Sequence, residues 1–103
     1  MSTQAHLGEK VPGVMTLSGL LDHQTTVSLR QEGQRYIQQS STDVIVIDCA
    51  GVERSNSAGL SLLLSFQRDV LQTGKKLEVW NLPADMKQIA SVSGLLDILP
   101  LSH

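Results

Sequence analysis

The chain has 103 residues, 41% hydrophobic and 17% charged, with a formal net charge of -2 at pH 7; that length buries one core and not two, so a single soluble α/β-sized domain over 1–103, with its core from about 14 to 99, is expected. The only adjacent basic pair is Lys75-Lys76, which excludes a dedicated nucleic-acid binder, since phosphate neutralisation needs clustered Lys and Arg. No apolar run exceeds four residues, Cys49 is the sole cysteine, and residues 1–12 lack the basic start and apolar stretch of a signal peptide. A membrane span, an intramolecular disulfide and a thiolate metal cluster are thereby excluded, and the cytoplasm is the expected compartment.

In chain order, residues 1–12 are polar, with Gly8 and Pro12 as breakers, and have room for a short edge strand. Val14-Met15-Thr16-Leu17 reads as a short strand ending at Ser18-Gly19. Asp22 precedes a weakly amphipathic helix over 25–39, whose inner stripe is Thr26, Leu29, Gly33, Tyr36, Ile37 and Ser40. Gly33, in the middle of that stripe, suggests a close approach to the sheet. Val44-Ile45-Val46-Ile47 has no polar alternation and predicts a strand in the middle of a sheet covered on both faces. A polar segment, Glu53-Arg54-Ser55-Asn56, leads to a second helix from Ser57 to about Gln72, with Gly74 as its stop. Lys76-Leu77-Glu78-Val79-Trp80 alternates as a strand, Leu82-Pro83 breaks it, and 84–92 is a short helix with Met86, Ile89 and Ala90 inward. Residues 95–99 form a last strand or a helical turn before Pro100. Strands alternating with helices through short loops mean an α/β layer on a mostly parallel sheet.

The junction between the central strand and the second helix is the candidate functional stretch. Asn56 and Ser57 are both good N-caps, because short polar side chains accept from the free N–H groups of a first turn. Gly59 weakens that turn by roughly 1 kcal/mol relative to Ala, and glycine at such a place lets a backbone or a partner approach. At about 100° per residue, Leu60, Leu63, Leu64 and Leu71, flanked by Val70, make the expected core stripe. Leu62 and Phe66 fall outside its centre, with the small Ser61 and Ser65 completing an outer surface on which another protein could sit. The alternative is that Leu62 and Phe66 pack beneath the neighbouring helix.

Catalysis and metal binding find little support. Ser55-Asn56-Ser57-Ala58-Gly59 resembles a nucleophile elbow in part, but Ser55 stands where its first glycine belongs, and His6, His23 and His103 give no evident base for Ser57. A first helical turn can hold an anion, yet no glycine-rich phosphate loop or lysine accompanies this one. Asp22 and Asp48 lie at element ends and could approach one another; without a third ligand they are better read as capping or loop-bracing groups than as a metal site. Cys49 and Trp80 read as packing residues. No catalytic residue, metal or cofactor is assigned.

Two segments carry a family resemblance. Leu17-Ser18-Gly19-Leu20-Leu21-Asp22 is similar to the L-x-G-x-L-D of the STAS domain, named for sulfate transporters and anti-sigma factor antagonists. Ile47-Asp48 followed by Asn56-Ser57-Ala58-Gly59-Leu60 is similar to its I-D-L and D-S/T-x-G-L. The resemblance implies a STAS fold, a four- or five-stranded mixed, mostly parallel sheet with helices mainly on one side. It also implies a non-enzymatic docking module whose contact surface is the loop and N-terminus of the second helix: here Asn56, Ser57, Ala58 and Gly59, joined by Ser61, Leu62, Ser65 and Phe66. Within the family the chain looks most like the stand-alone STAS subunit of Mla-type phospholipid ABC transporters. That likeness implies an ABC transporter ATPase as partner, with its permease in the complex, and a peripheral place on the inner membrane. The other implied function is an anti-sigma factor antagonist, partnered by a kinase. Two positions depart from the pattern: Asn56 replaces an aspartate, and Ala58 stands where the antagonists carry their phosphorylatable serine, which leaves such a role to Ser57 if the chain has one.

Overall fold

Pro12 and Gly13 start the sheet by turning the chain back on itself. Proline presets φ for the first turn position and Gly13 takes φ 89° at the second, a region that L side chains avoid. In the computed structural model, which describes residues 4–101, this turn joins β1 (Ala5–Val11) antiparallel to β2 (Val14–Leu21), with Val11 opposite Val14. The remaining elements are α1 (Thr25–Gln39), β3 (Val44–Ser55), α2 (Ser57–Gln72), β4 (Lys76–Trp80) and α3 (Ala84–Val92). The sheet order is β1-β2-β3-β4, with β2, β3 and β4 parallel. The crossovers β2–α1–β3 and β3–α2–β4 step the same way along the sheet, and crossovers of one hand without reversal put their helices on one face.

The helix-covered face is read directly from the register. Met15, Ile47 and Val79 lie side by side, as do Ile45 and Leu77. With Leu17 and Cys49 they join Leu29 and Ile37 of α1, Leu62, Leu63, Phe66 and Val70 of α2, and Met86 and Ala90 of α3 in one core. Full burial of each such side chain is worth about 1.5–3 kcal/mol. Burial, and secondarily the Asp48 carboxylate, push the Cys49 thiol up to about 12, so it is a protonated core group.

The other face carries the rows Val14–Val46–Glu78 and Thr16–Asp48–Trp80. Val14 and Val46 are buried yet belong to no helix-packed cluster. The expectation that β3 is covered on both faces is therefore corrected: β3 is central, but Val46 lies on the face away from the helix-packed cluster, in register with Val14 and Glu78. Asp48 sits at a bulge, where the β2 step from Thr16 to Ser18 is matched by the β3 step from Asp48 to Gly51. Its Oδ1 accepts from the bulge amide of Ala50 and from Asn81 Nδ2, both at 3.0 Å. Asp22 instead accepts from Gln24 N and Thr25 N at 2.9 Å, and its own N–H donates to Thr25 Oγ1, a reciprocal cap on α1. Six residues of β2 separate the two carboxylates, about 20 Å at strand rise, so they do not meet.

After α3, a helical turn with Ile98 N bonded to Leu95 O leads to Leu101, which forms an isolated parallel bridge to Val79. No helix among the described residues is long and apolar enough to cross a membrane.

Candidate functional site

The end of β3 runs further than its apolar residues suggest. Glu53 is an extra residue in the ladder, between Gly19↔Val52 and Leu20↔Arg54, and pairing continues to Leu21↔Ser55. The polar stretch 53–55, read from the sequence only as a segment leading to the helix, is strand because β2 supplies its partners. Asn56 N–H then donates to Leu21 O at 3.1 Å, and Asn56 Oδ1 accepts from Ala58 N at 2.8 Å. Asn56 is thus the N-cap of α2. Ser57 is the first helical residue and is exposed; its hydroxyl makes no hydrogen bond among the described residues, so of the two candidate caps only Asn56 serves. Ala58, 6% exposed, and Gly59 lie beneath this turn. A Cβ on Gly59 would strike Ser55 Oγ and lie 3.2 Å from the Leu21 side chain, so the glycine is what allows α2 to start against β2 and β3.

The outward face of α2 is not the one its leucines suggest. Leu62 is 3% exposed and Phe66 fully buried, whereas Leu71 is 62% exposed and Leu64 half-buried. The packed arc is centred near Phe66, about 100° (one residue's rotation) from the leucine stripe. Its cause is Gly33, whose close approach is to α2 and not, as expected, to the sheet: a Cβ there would overlap the edge of the Phe66 ring, so α1 accepts the ring only because position 33 has no side chain. Leu62 and Phe66 are core residues packed under α1, and their place on a docking surface is withdrawn. Of the expected contact residues, Asn56, Ser57 and Ser61 are exposed and Ser65 is half-buried. At the far end of the packed arc, Arg30 Nη2 reaches the buried Asp69 Oδ1 at 3.4 Å and ties α1 to α2.

Beside the cap lies a cleft of about 390 Å³, lined by Leu20, Leu21, Asp22, Arg54, Ser55, Asn56 and Asp85. Asp85, in the first turn of α3, accepts from Ser55 N at 3.3 Å through Oδ2 and from Met86 N at 2.8 Å through Oδ1. The hydrogen bond from the Thr25 backbone holds the Asp22 carboxyl below its ordinary value. Arg54 is exposed and makes no ion pair among the described residues. Sequence reasoning missed Arg54 and Asp85; the former follows from β3 reaching Ser55, the latter from a tertiary contact with no local signal.

The described histidines, His6 and His23, make no hydrogen bond to Ser57, and His103 lies outside the described residues. No group of three metal-ligating side chains is found among the described residues. What the site presents, among the described residues, is a set of free polar groups, namely the Ser57 and Ser61 hydroxyls, Asn56 Nδ2 and the Arg54 guanidinium, on a helix start fixed by the Asn56 cap. That arrangement suits docking.

A family model described as "Mlab, STAS domain" matches residues 7–100. Among curated relatives, an anti-sigma F factor antagonist from Paenibacillus polymyxa is 27% identical over 88 residues, 85% of this chain and 75% of that protein. Among solved structures, an anti-sigma factor antagonist from Mycobacterium paratuberculosis superposes with TM-score 0.77 at 24% identity, covering 97% of this chain and 85% of that one. A chain of the Acinetobacter MlaFEDB complex in its ATP-bound Vtrans2 conformation gives TM-score 0.76 at 24% identity, covering 86% and 93%. The unphosphorylated anti-sigma factor antagonist SpoIIAA gives 0.72 at 18%, covering 96% and 88%. These structural likenesses establish the fold, and the family match spans nearly every described residue: the chain belongs to the STAS domain family.

Proposed function

We propose that this chain is a non-catalytic accessory subunit that docks on the cytoplasmic ATPase of an Mla-type phospholipid ABC transporter. There it supports assembly and activity of the complex, peripherally on the inner membrane, in maintaining outer-membrane lipid asymmetry. The observation that carries this is position 58. The resemblance places the antagonists' phosphorylatable serine there, and here it is an alanine whose methyl is buried beneath the Asn56 cap. A docking face without that hydroxyl suits constitutive assembly better than a phosphate switch. The family description that matches the chain, and the likeness to a chain of a solved Mla complex, support the same partner.

The contact surface in this proposal is Asn56, Ser57 and Ser61, with Arg54 beside them. The test is co-expression of the tagged chain with the Mla-type ATPase and permease of the same bacterium. We expect a stable complex that Ser61→Arg abolishes without moving the thermal midpoint, since Ser61 is exposed. A second function, antagonism of an anti-sigma factor, is favoured by the 27% identical relative and by the free Ser57 hydroxyl. It predicts copurification with a serine kinase and a Ser57 phosphate in the intact mass; that outcome would replace the transporter proposal.

A further inference from the structure

We propose that Asp85, in the first turn of α3, is the positioning residue of the docking face: its carboxylate fixes the end of β3 and, through Ser55, the place of the Asn56 cap and of Ser57. The role rests on the docking function proposed above. Its starting point is that β3 outruns one of its neighbours. β4 ends at Trp80, opposite Asp48, whereas β2 stays paired with β3 as far as Leu21↔Ser55. Residues 49–55 therefore have no strand on the β4 side among the described residues. Backbone N–H groups alternate from one side of a strand to the other. Asn56 N–H donates to Leu21 O at 3.1 Å on the β2 side, so Ser55 N–H points to the side that β4 has left. Asp85 Oδ2 accepts from it there at 3.3 Å, in the place of the acceptor that a longer β4 would supply.

The carboxylate is oriented by its own helix. Asp85 Oδ1 accepts from Met86 N at 2.8 Å, and Met86 is fully buried in the core, which anchors this turn of α3. Arg54 lines the same cleft but makes no ion pair with Asp85, so the carboxylate serves the two backbone amides. From Ser55 the constraint passes into the docking face. Ser55 Oγ donates to Asn56 O at 2.9 Å and occupies the space that a Cβ on Gly59 would take. Asn56 O also accepts from Gly59 N at 3.0 Å, and Asn56 Oδ1 from Ala58 N at 2.8 Å. Each link is short and local except the first, which joins residues 30 apart in the chain. Asp85 is thus the point at which α3 acts on the start of α2.

The test compares Asp85→Ala with Asp85→Asn, which loses the charge but keeps an acceptor for Ser55 N–H. Two quantities are measured on the full chain: amide hydrogen exchange by NMR, and the dissociation constant for the Mla-type ATPase. Because Asp85 is exposed and the bond long, we expect Asp85→Ala to speed exchange at Ser55 and Asn56 by about three- to tenfold, leaving Ile47 in the centre of the sheet unchanged. The dissociation constant should rise by a similar factor, and Asp85→Asn should stay near the parent in both. Unchanged exchange at Ser55 and Asn56 in Asp85→Ala would overturn the proposal, as would faster exchange throughout the sheet, the mark of a general loss of stability. Equal loss of affinity in the two variants without a change in exchange would also overturn it, making Asp85 a direct contact and leaving the docking function standing. Faster local exchange with unaltered affinity would remove the role from docking. A parent chain that fails to bind the ATPase would overturn the docking function itself, and this role with it.

Discussion

Replacing Leu62 by aspartate tests which face of α2 is the core. Leu62 is 3% exposed in a cluster with Leu29, Leu63 and Phe66. Losing a buried leucine forfeits about 1.5–3 kcal/mol of transfer free energy. The carboxylate that replaces it is either ionised without a partner or protonated against its preference, which adds several kcal/mol. A domain of 103 residues holds only about 5–15 kcal/mol in total, so Leu62→Asp should remove most of its stability. The same change at Leu71, which is 62% exposed, should stay within about 0.5 kcal/mol of the parent. Urea unfolding followed by far-UV circular dichroism on both variants decides the matter. A Leu62→Asp midpoint close to the parent's, or an unfolded Leu71→Asp, would refute the packing described here and restore the leucine stripe as the core.

Other consequences follow from single contacts. Asn56→Ala should lose about 0.5–2 kcal/mol with the cap, whereas Ser57→Ala, which removes no hydrogen bond, should change the urea midpoint little; equal losses would move the cap to Ser57. Gly33→Ala should destabilise by about 1–3 kcal/mol of overpacking, only partly offset by up to about 1 kcal/mol of helix propensity, and Phe66→Leu should relieve it in the double variant. Cys49, with its thiol pushed up to about 12 in the core, should react with an aromatic disulfide reagent at pH 8 only on unfolding; rapid stoichiometric reaction of the folded chain would contradict its burial. Asp22, held below its ordinary 3.8 chiefly by the Thr25 backbone hydrogen bond, contributes stability that is present above 3.8 and lost as pH falls through its lower folded value. Asp22→Ala should therefore flatten the fall in urea midpoint below pH 4, and an unaltered profile would remove Asp22 from the acid transition.

Local signals in the sequence determined where elements lie. The helices α1, α2 and α3 and the strand β4 span the expected residues, because each is bounded by its own breakers and carries its own period: Gly74 after α2, Leu82-Pro83 before α3, Leu77 and Val79 alternating in β4. The paired motifs around Asp22 and Asn56–Leu60 likewise pointed to the STAS fold without any tertiary information. Tertiary structure alone decided two things. The length of β2 and β3 depended on their mutual pairing, since Ser18–Leu21 and Gly51–Ser55 have no strand pattern of their own and are held by each other's backbone. The rotation of α2 depended on α1. With Leu60, Leu62, Leu63, Leu64, Phe66, Val70 and Leu71 spread round most of the helix, periodicity names several inward faces equally well. Only the empty position at Gly33, opposite the Phe66 ring, selects among them, turning Leu62 into the core and leaving Ser57, Ser61, Arg68 and Leu71 to face outward.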